Sequence, residues 1–244
     1  MAGVTVRAVV LRSADYKEYD RMLTLFAHGK GEVVAAAHYS RRLKSPLLNS
    51  TVPFVSGEFV LTERQGRYSV ASCSVEDAHY ALREDPIRLA CASYLCALCE
   101  EAVQPEQPDD ALFTLLLRAL AHLCYGQSAP EATTLCFLLR MLDGQGIGPI
   151  LTRCSRCGRE GRRMGIDPGG AGAVCLVCSP GISALDPSAL QMAAELREGE
   201  FLPPDSVDER LFDKMTDYAT AHFERSFKSL SFLQRMRSMF SAFP

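Results

Sequence analysis

Four cysteines in the stretch "CSRCGREGRRMGIDPGGAGAVCLVC" form two C-x-x-C pairs, Cys154 with Cys157 and Cys175 with Cys178, with 17 residues between the pairs. Two residues between thiolates let one tight turn aim both sulfurs at a single ion, and two such turns facing each other complete a tetrahedron. This is the spacing of a zinc site. A four-thiolate iron site, or thiols that are simply reduced, are the remaining readings. Four thiolates close the coordination shell and leave no position for an activated water, so one structural Zn2+ is expected rather than a catalytic one. Gly158 directly after Cys157 supplies the backbone freedom that such a knuckle needs, and "DPGGAG" can turn the chain back as a hairpin between the pairs. A nucleobase deaminase would place H-x-E upstream of P-C-x-x-C, whereas the H-x-E of this chain, His222 to Glu224, lies downstream.

Two cationic clusters accompany these thiols. Arg153, Arg156, Arg159, Arg162 and Arg163 surround the first knuckle with Glu160 as the nearby acid; they read either as a basic finger for phosphate or as a solvated loop that keeps a small metal module soluble. The second cluster is "HYSRRLKSPLLNS" (38 to 50), where Arg41, Arg42 and Lys44 stand beside Tyr39. Cations on flexible stems next to an aromatic face suit a single-stranded nucleic acid, whose phosphates they neutralise and whose bases the ring stacks. A third C-x-x-C, Cys96 with Cys99 in "RLACASYLCALCEEAV", lies in an apolar helix-like run with no partner pair, and buried core thiols are the expectation there.

The segments that must carry these residues change character along the chain. The first 80 residues read as short strands around 5–12, 22–27, 31–38, 52–63 and 67–75, with "HGKG" and "RQG" as turns. Five short strands in that length suit a small barrel, which leaves no exposed edges. From residue 85 the pattern is helical. Asp85-Pro86 and Asp186-Pro187 read as caps with proline at the first helical position, and Asp109 or Asp110 as the cap of the helix between them. Ser128 with Glu131, and Ser206 with Glu209, read as capping boxes for two further helices, the second opening one last helical region. The fold class is therefore α+β and multidomain: a small β-barrel over 1–80, then a mostly α-helical domain over 81–244 with a zinc-ribbon-like insert at about 150–182.

The 244 residues are 48% apolar, normal for packed protein, and contain no stretch of about 18 apolar residues that would span a membrane. The amino terminus lacks the apolar region of a secretory signal, and unpaired thiols fit a reducing compartment, so a cytoplasmic location is expected. The net charge of −3 divides into +2 over residues 1–80 and −5 over the remainder, which permits a nucleic-acid surface on the barrel. "HGKGE" has neither the spacing nor the lysine-serine ending of a nucleotide-binding loop, and no histidine-rich metal motif or serine nucleophile elbow is present. No enzyme is expected.

In its order of parts, the chain resembles the RecO family of recombination mediators. Two segments sharpen the likeness: "YKEYDRMLTLFAHGKGEV" (16 to 33) looks like that family's acidic-arginine loop, second strand and glycine turn, and "AHYSRRLKS" (37 to 45) like its double-arginine, lysine-serine loop. The family loop usually has lysine and glycine where His38 and Tyr39 stand. The resemblance implies an OB-fold for the barrel, with Arg41, Arg42, Lys44 and Tyr39 on DNA, and a helical domain holding zinc through Cys154, Cys157, Cys175 and Cys178. It further implies a bacterial, nucleoid-associated mediator in DNA repair and recombination. Such a protein binds single- and double-stranded DNA, anneals complementary strands and, with the RecR protein, helps load the RecA recombinase onto strands coated by single-stranded DNA-binding protein. The alternative is a zinc-ribbon scaffold that joins proteins without touching DNA itself.

Overall fold

The computed structural model describes residues 3–241. Five strands, β1 (Gly3–Tyr16), β2 (Asp20–Ala27), β3 (Gly31–Ala37), β4 (Ser56–Arg64) and β5 (Arg67–Asp77), close into a barrel in the order β1-β2-β3-β5-β4. All neighbours are antiparallel except β3 and β5, which run parallel and close the barrel through Ala35 opposite Tyr68 and Ala36 opposite Ser69. This is the OB-type arrangement.

Side-chain alternation explains the barrel. In β1, Val6, Ala8 and Val10 point inward; Leu23, Leu25 and Ala27 of β2, Val33, Ala35 and Ala37 of β3, Phe59 and Leu61 of β4 and Val70 of β5 join them in one core. Period-two burial of this kind fixes register, because a slip by one residue would turn every apolar side chain to the opposite face. Alanines among larger residues fit the narrow interior. The turns behave as their sequences dictate: Gln65 and Gly66, both at positive φ, form the two-residue loop between Arg64 and Arg67. Strand β4 begins at Ser56 rather than near Val52, because Pro53 and Phe54 (φ 74°) occupy a turn whose Phe54 carbonyl accepts a hydrogen bond from buried His79.

Among the described residues, six α-helices and one short hairpin follow: α1 (Pro86–Ala102), α2 (Asp110–Tyr125), α3 (Pro130–Gly144), the hairpin β6 (Met164–Asp167) and β7 (Gly172–Cys175), α4 (Pro187–Glu195), α5 (Glu209–His222) and α6 (Lys228–Ser241). No helix of the described residues is long and apolar enough to cross a membrane. The chain divides into two compact units, Met1–Glu84 with Cys96–Cys124, and Asp85–Leu95 with Tyr125–Pro244. In the first, Phe113 of α2 meets Phe26 of β2 edge-on at 5.4 Å, which covers the outer face of that strand.

The second unit is built around α3, whose residues from Ala132 to Leu139 are all buried, with Leu211, Phe212, Met215 and Tyr218 of α5 in the same buried set. Arg140 closes a loop onto α3 by donating to the carbonyls of Leu196, Glu198, Gly199 and Glu200 at 2.6–3.1 Å. Arg237 of α6 pairs with Asp213 of α5 and Glu131 of α3 and lies over the Phe212 ring.

Three aspartates cap as the sequence suggests: Asp85 accepts from the N–H groups of Ile87 and Arg88, Asp109 from Leu112, and Asp186 from Ser188. Both serine capping boxes are absent. Helix α3 starts one residue later, at Pro130 with Ala129 before it, and the Ser128 hydroxyl donates instead to the Pro203 carbonyl. Asp208 displaces Ser206 at α5 by accepting from the Leu211 N–H at 2.8 Å. The single last helical region is two helices, separated where Glu224 takes a positive φ. Cys96 and Cys99 are buried in α1, with both thiols pushed up by burial, as core residues are.

Candidate nucleic-acid interface and metal centre

The loop after β3 is a run of tight turns pinned to the barrel at several points. Arg42 N–H donates to the Tyr39 carbonyl, Ser45 to Arg42 and Leu48 to Ser45. Leu47 is buried as the apolar anchor, and Arg21 of β2 donates to the Leu48 carbonyl at 3.0 Å and to Thr51 Oγ1 at 2.9 Å. Asp20, nearly buried at the start of β2, organises the other end. Its carboxylate accepts the Tyr39 N–H at 2.8 Å and meets His38 Nδ1 at 2.9 Å, and these two contacts, the backbone bond first, hold its carboxyl below the usual range. Tyr39 sits at φ 55°, the left-handed region that glycine favours. The Asp20 bond to its N–H helps hold a bulky residue in that conformation.

Held in this way, the predicted cations adopt three different states. Arg42 is stacked between two aromatic rings, 4.7 Å from the centre of Tyr19 and 4.5 Å from that of Tyr39. Arg41 donates to the Glu18 carbonyl and pairs with Asp15 at 3.0 Å, while its own N–H bonds to the Tyr19 carbonyl. Lys44 is exposed and makes no ion pair among the described residues; Leu43 before it is 93% exposed. The loop and the β1–β2 tip therefore form one surface. Tyr16 and Tyr19, both exposed, and Lys17, 5.2 Å from the Tyr16 ring centre, belong to it. Sequence reasoning missed these three. In the sequence "YKEY" stands only as part of an acidic-arginine loop, and the pairing of Arg21 with Ala37 across β2 and β3 is what brings it beside residues some twenty positions later.

The four cysteines converge. Their sulfurs all lie within 4.8 Å of one another, and Cys157 Sγ is 3.9 Å from Cys175 Sγ. Tetrahedral zinc with bonds of about 2.3 Å separates its sulfurs by about 3.8 Å, so the donor set fits that ion in number, type and spacing. Backbone geometry supports the fit. Gly158 N–H bonds to the Cys154 carbonyl, and Cys178 and Ser179 N–H to that of Cys175, giving two matching turns. Gly158 takes φ 70°; at Gly172, φ 116°, a Cβ would collide with the backbone of Ile150, which bridges to it. The hairpin of β6 and β7 links the two turns, and Arg156 ties them by donating to the Cys178 carbonyl and to Asp167.

The thiols differ in acidity. Burial raises Cys154, but the N–H groups of Cys175, Cys157 and Arg156 outweigh it and bring it down to about 6. Contacts with Cys157 and Cys175 push Cys178 up to about 12, since neighbouring sulfurs do not all ionise without a cation between them. All four are free of disulfides.

Comparison with known proteins covers both halves of the chain. Residues 1–79 match the family model "Recombination protein O N terminal", and residues 83–231 match "Recombination protein O C terminal". The protein called DNA repair protein RecO from Anaeromyxobacter sp. (strain K) is 37% identical over 199 residues, which cover 80% of this chain and 76% of that one. Its counterpart of the same name in Myxococcus xanthus is 30% identical over 237 residues, covering 94% of this chain and 96% of that one.

Proposed function

We propose that this chain, which belongs to the RecO family of DNA repair proteins, is a non-enzymatic recombination mediator that binds single- and double-stranded DNA and anneals complementary strands. With RecR it helps load RecA onto strands coated by single-stranded DNA-binding protein. On this reading residues 1–80 form the DNA-binding domain, residues 81–244 form the helical domain, and the protein works in the bacterial cytoplasm at the nucleoid. The observation that carries the DNA assignment is Arg42 held between Tyr19 and Tyr39 on an exposed barrel end, with Arg41 and Lys44 on the same loop.

Such a surface has the two elements a single strand needs. Cations release condensed counterions as they neutralise phosphates, and tyrosine faces stack bases without regard to sequence. The guanidinium of Arg42 is oriented before the strand arrives, so less side-chain freedom is lost on binding. Annealing follows if two strands are held together while their mutual repulsion is lowered. Cys154, Cys157, Cys175 and Cys178 would hold one Zn2+, whose contribution is folding energy for a hairpin module with little core of its own.

The test is a salt titration of DNA binding by the wild type and by the Arg41, Arg42, Lys44→Ala variant, together with strand annealing with and without single-stranded DNA-binding protein. The variant is expected to bind single strands at least tenfold more weakly in dilute salt, with a shallower salt slope. A wild-type chain that ignored oligonucleotides in dilute buffer would leave only the protein scaffold reading.

A further inference from the structure

The zinc-type module carries a cationic surface that the barrel loop does not account for. Of its five arginines, Arg156 is spent internally on Asp167 and the Cys178 carbonyl. The other four, Arg153, Arg159, Arg162 and Arg163, are exposed and make no ion pair among the described residues. They lie close along the chain and are folded closer: the Cys154 N–H bonds to the Arg159 carbonyl, bringing Arg153 and Arg159 side by side, and the Leu176 N–H bonds to that of Arg163. Arg162 and Arg163 line one hollow of about 250 Å³ with Leu151, Met164 and Leu190. Glu160 is the only acid among residues 150–166. A divalent ion on four thiolates keeps a net negative charge, and all four arginines are exposed to solvent.

Between Leu151 and Glu200 there is no Phe, Tyr, Trp or His. A segment with four guanidinium groups free of ion pairs and no aromatic ring of its own offers bases little to stack on, yet it matches a ligand that presents phosphates outside and hides its bases. We propose that the module is a second DNA surface, selective for duplex over single strands, on which Arg153, Arg159, Arg162 and Arg163 contact the sugar-phosphate backbone. The inference rests on the DNA-binding reading above and adds a division of labour: the tyrosine-flanked barrel loop takes the single strand, and the ring-free knuckle takes the paired product.

The experiment compares wild type with the Arg153, Arg159, Arg162, Arg163→Ala variant, both metal-loaded, by anisotropy of a labelled hairpin duplex and a labelled oligothymidylate across a salt series. Each phosphate contact on B-form DNA contributes about 0.9 to the slope of log affinity against log salt, so the duplex slope is expected to fall by about three to four. Duplex affinity should fall at least tenfold and oligothymidylate affinity by less than threefold, and the all-lysine variant should keep the slope. Should the quadruple variant lose its metal, Arg162, Arg163→Ala, which leaves untouched Arg153 and Arg159, the two of the four nearest Cys154 and Cys157 in sequence, is expected to lower the slope by about two. An unchanged duplex slope in a metal-loaded variant overturns the proposal, as does an equal loss for duplex and single strand. A decameric glutamate peptide that binds the wild type more tightly than the duplex does, and fails to bind the variant, would reassign the surface to an acidic protein partner. Wild-type protein that bound no DNA at all would sink the underlying reading as well, so the two failures are distinguishable.

Discussion

Arg41 cannot offer a full charge to DNA while Asp15 holds it, so Asp15→Asn should strengthen single-strand binding. The Arg41 guanidinium lies 3.0 Å from the Asp15 carboxylate, and the two side chains are 35% and 64% exposed. A pair this exposed is worth about 0.2–1 kcal/mol. Binding a phosphate must break or share it, so removing the acid should raise affinity by that amount, about 1.4- to 5-fold in dilute salt. Arg41 stays in place without it, because its guanidinium also donates to the Glu18 carbonyl and its N–H to that of Tyr19. The salt slope for a single strand should steepen by up to about 0.7, one phosphate's share. Anisotropy of a labelled oligothymidylate with wild type, Asp15→Asn and Asp15→Asn combined with Arg41→Ala measures all of this. Stability should change by no more than about 0.5 kcal/mol, since the site is at the surface. Unchanged or weaker binding by Asp15→Asn, at wild-type melting temperature, would refute the idea that Arg41 meets phosphate.

Four further outcomes are expected. Metal analysis should return one zinc per chain, and Cys175→Ser or a strong chelator should loosen the hairpin module while leaving the barrel folded, read by proteolysis of the 150–182 segment. Zinc affinity should fall as pH drops toward 6, because protons then compete even for Cys154, whose thiol is brought down to about 6. Arg140→Ala should cost about 1.5–3 kcal/mol in chemical denaturation, since one charged group serves four carbonyls, and Arg140→Lys should recover little because an ammonium cannot reach that fan. His79 is buried and its pKa is lowered by that burial, so the unfolded chain takes its proton first: the contribution is full above about pH 6.5 and is lost as pH falls below it. The melting temperature of His79→Gln should therefore depend less on pH between 7 and 5.5 than that of the wild type.

The cysteine quartet was legible because C-x-x-C is a local geometry, two sulfurs from one turn, and needs nothing from distant chain. Five strands were legible because their inward residues alternate over short runs. The serine capping boxes misled because the signature records competence to cap, not the absence of a better competitor: Asp208 was nearer the start of α5, and Ser128 found the Pro203 carbonyl. Tyr19 and Asp15 were invisible as partners of the basic loop, because their proximity depends on strand register and not on any local pattern. The basic loop itself stood out by composition, yet composition does not distinguish Lys44, which is free of ion pairs, from Arg41, which is neutralised in place.

The barrel closes along one short seam. Every other join is a long antiparallel ladder, whereas β3 and β5 meet through only two residue pairs, Ala35 with Tyr68 and Ala36 with Ser69. If the cylinder tears, it tears there, into a curled ribbon that keeps its other four joins. The edge of β3 at this join runs straight into His38 and Tyr39, so a break there would free the strand from which the cation-bearing loop springs.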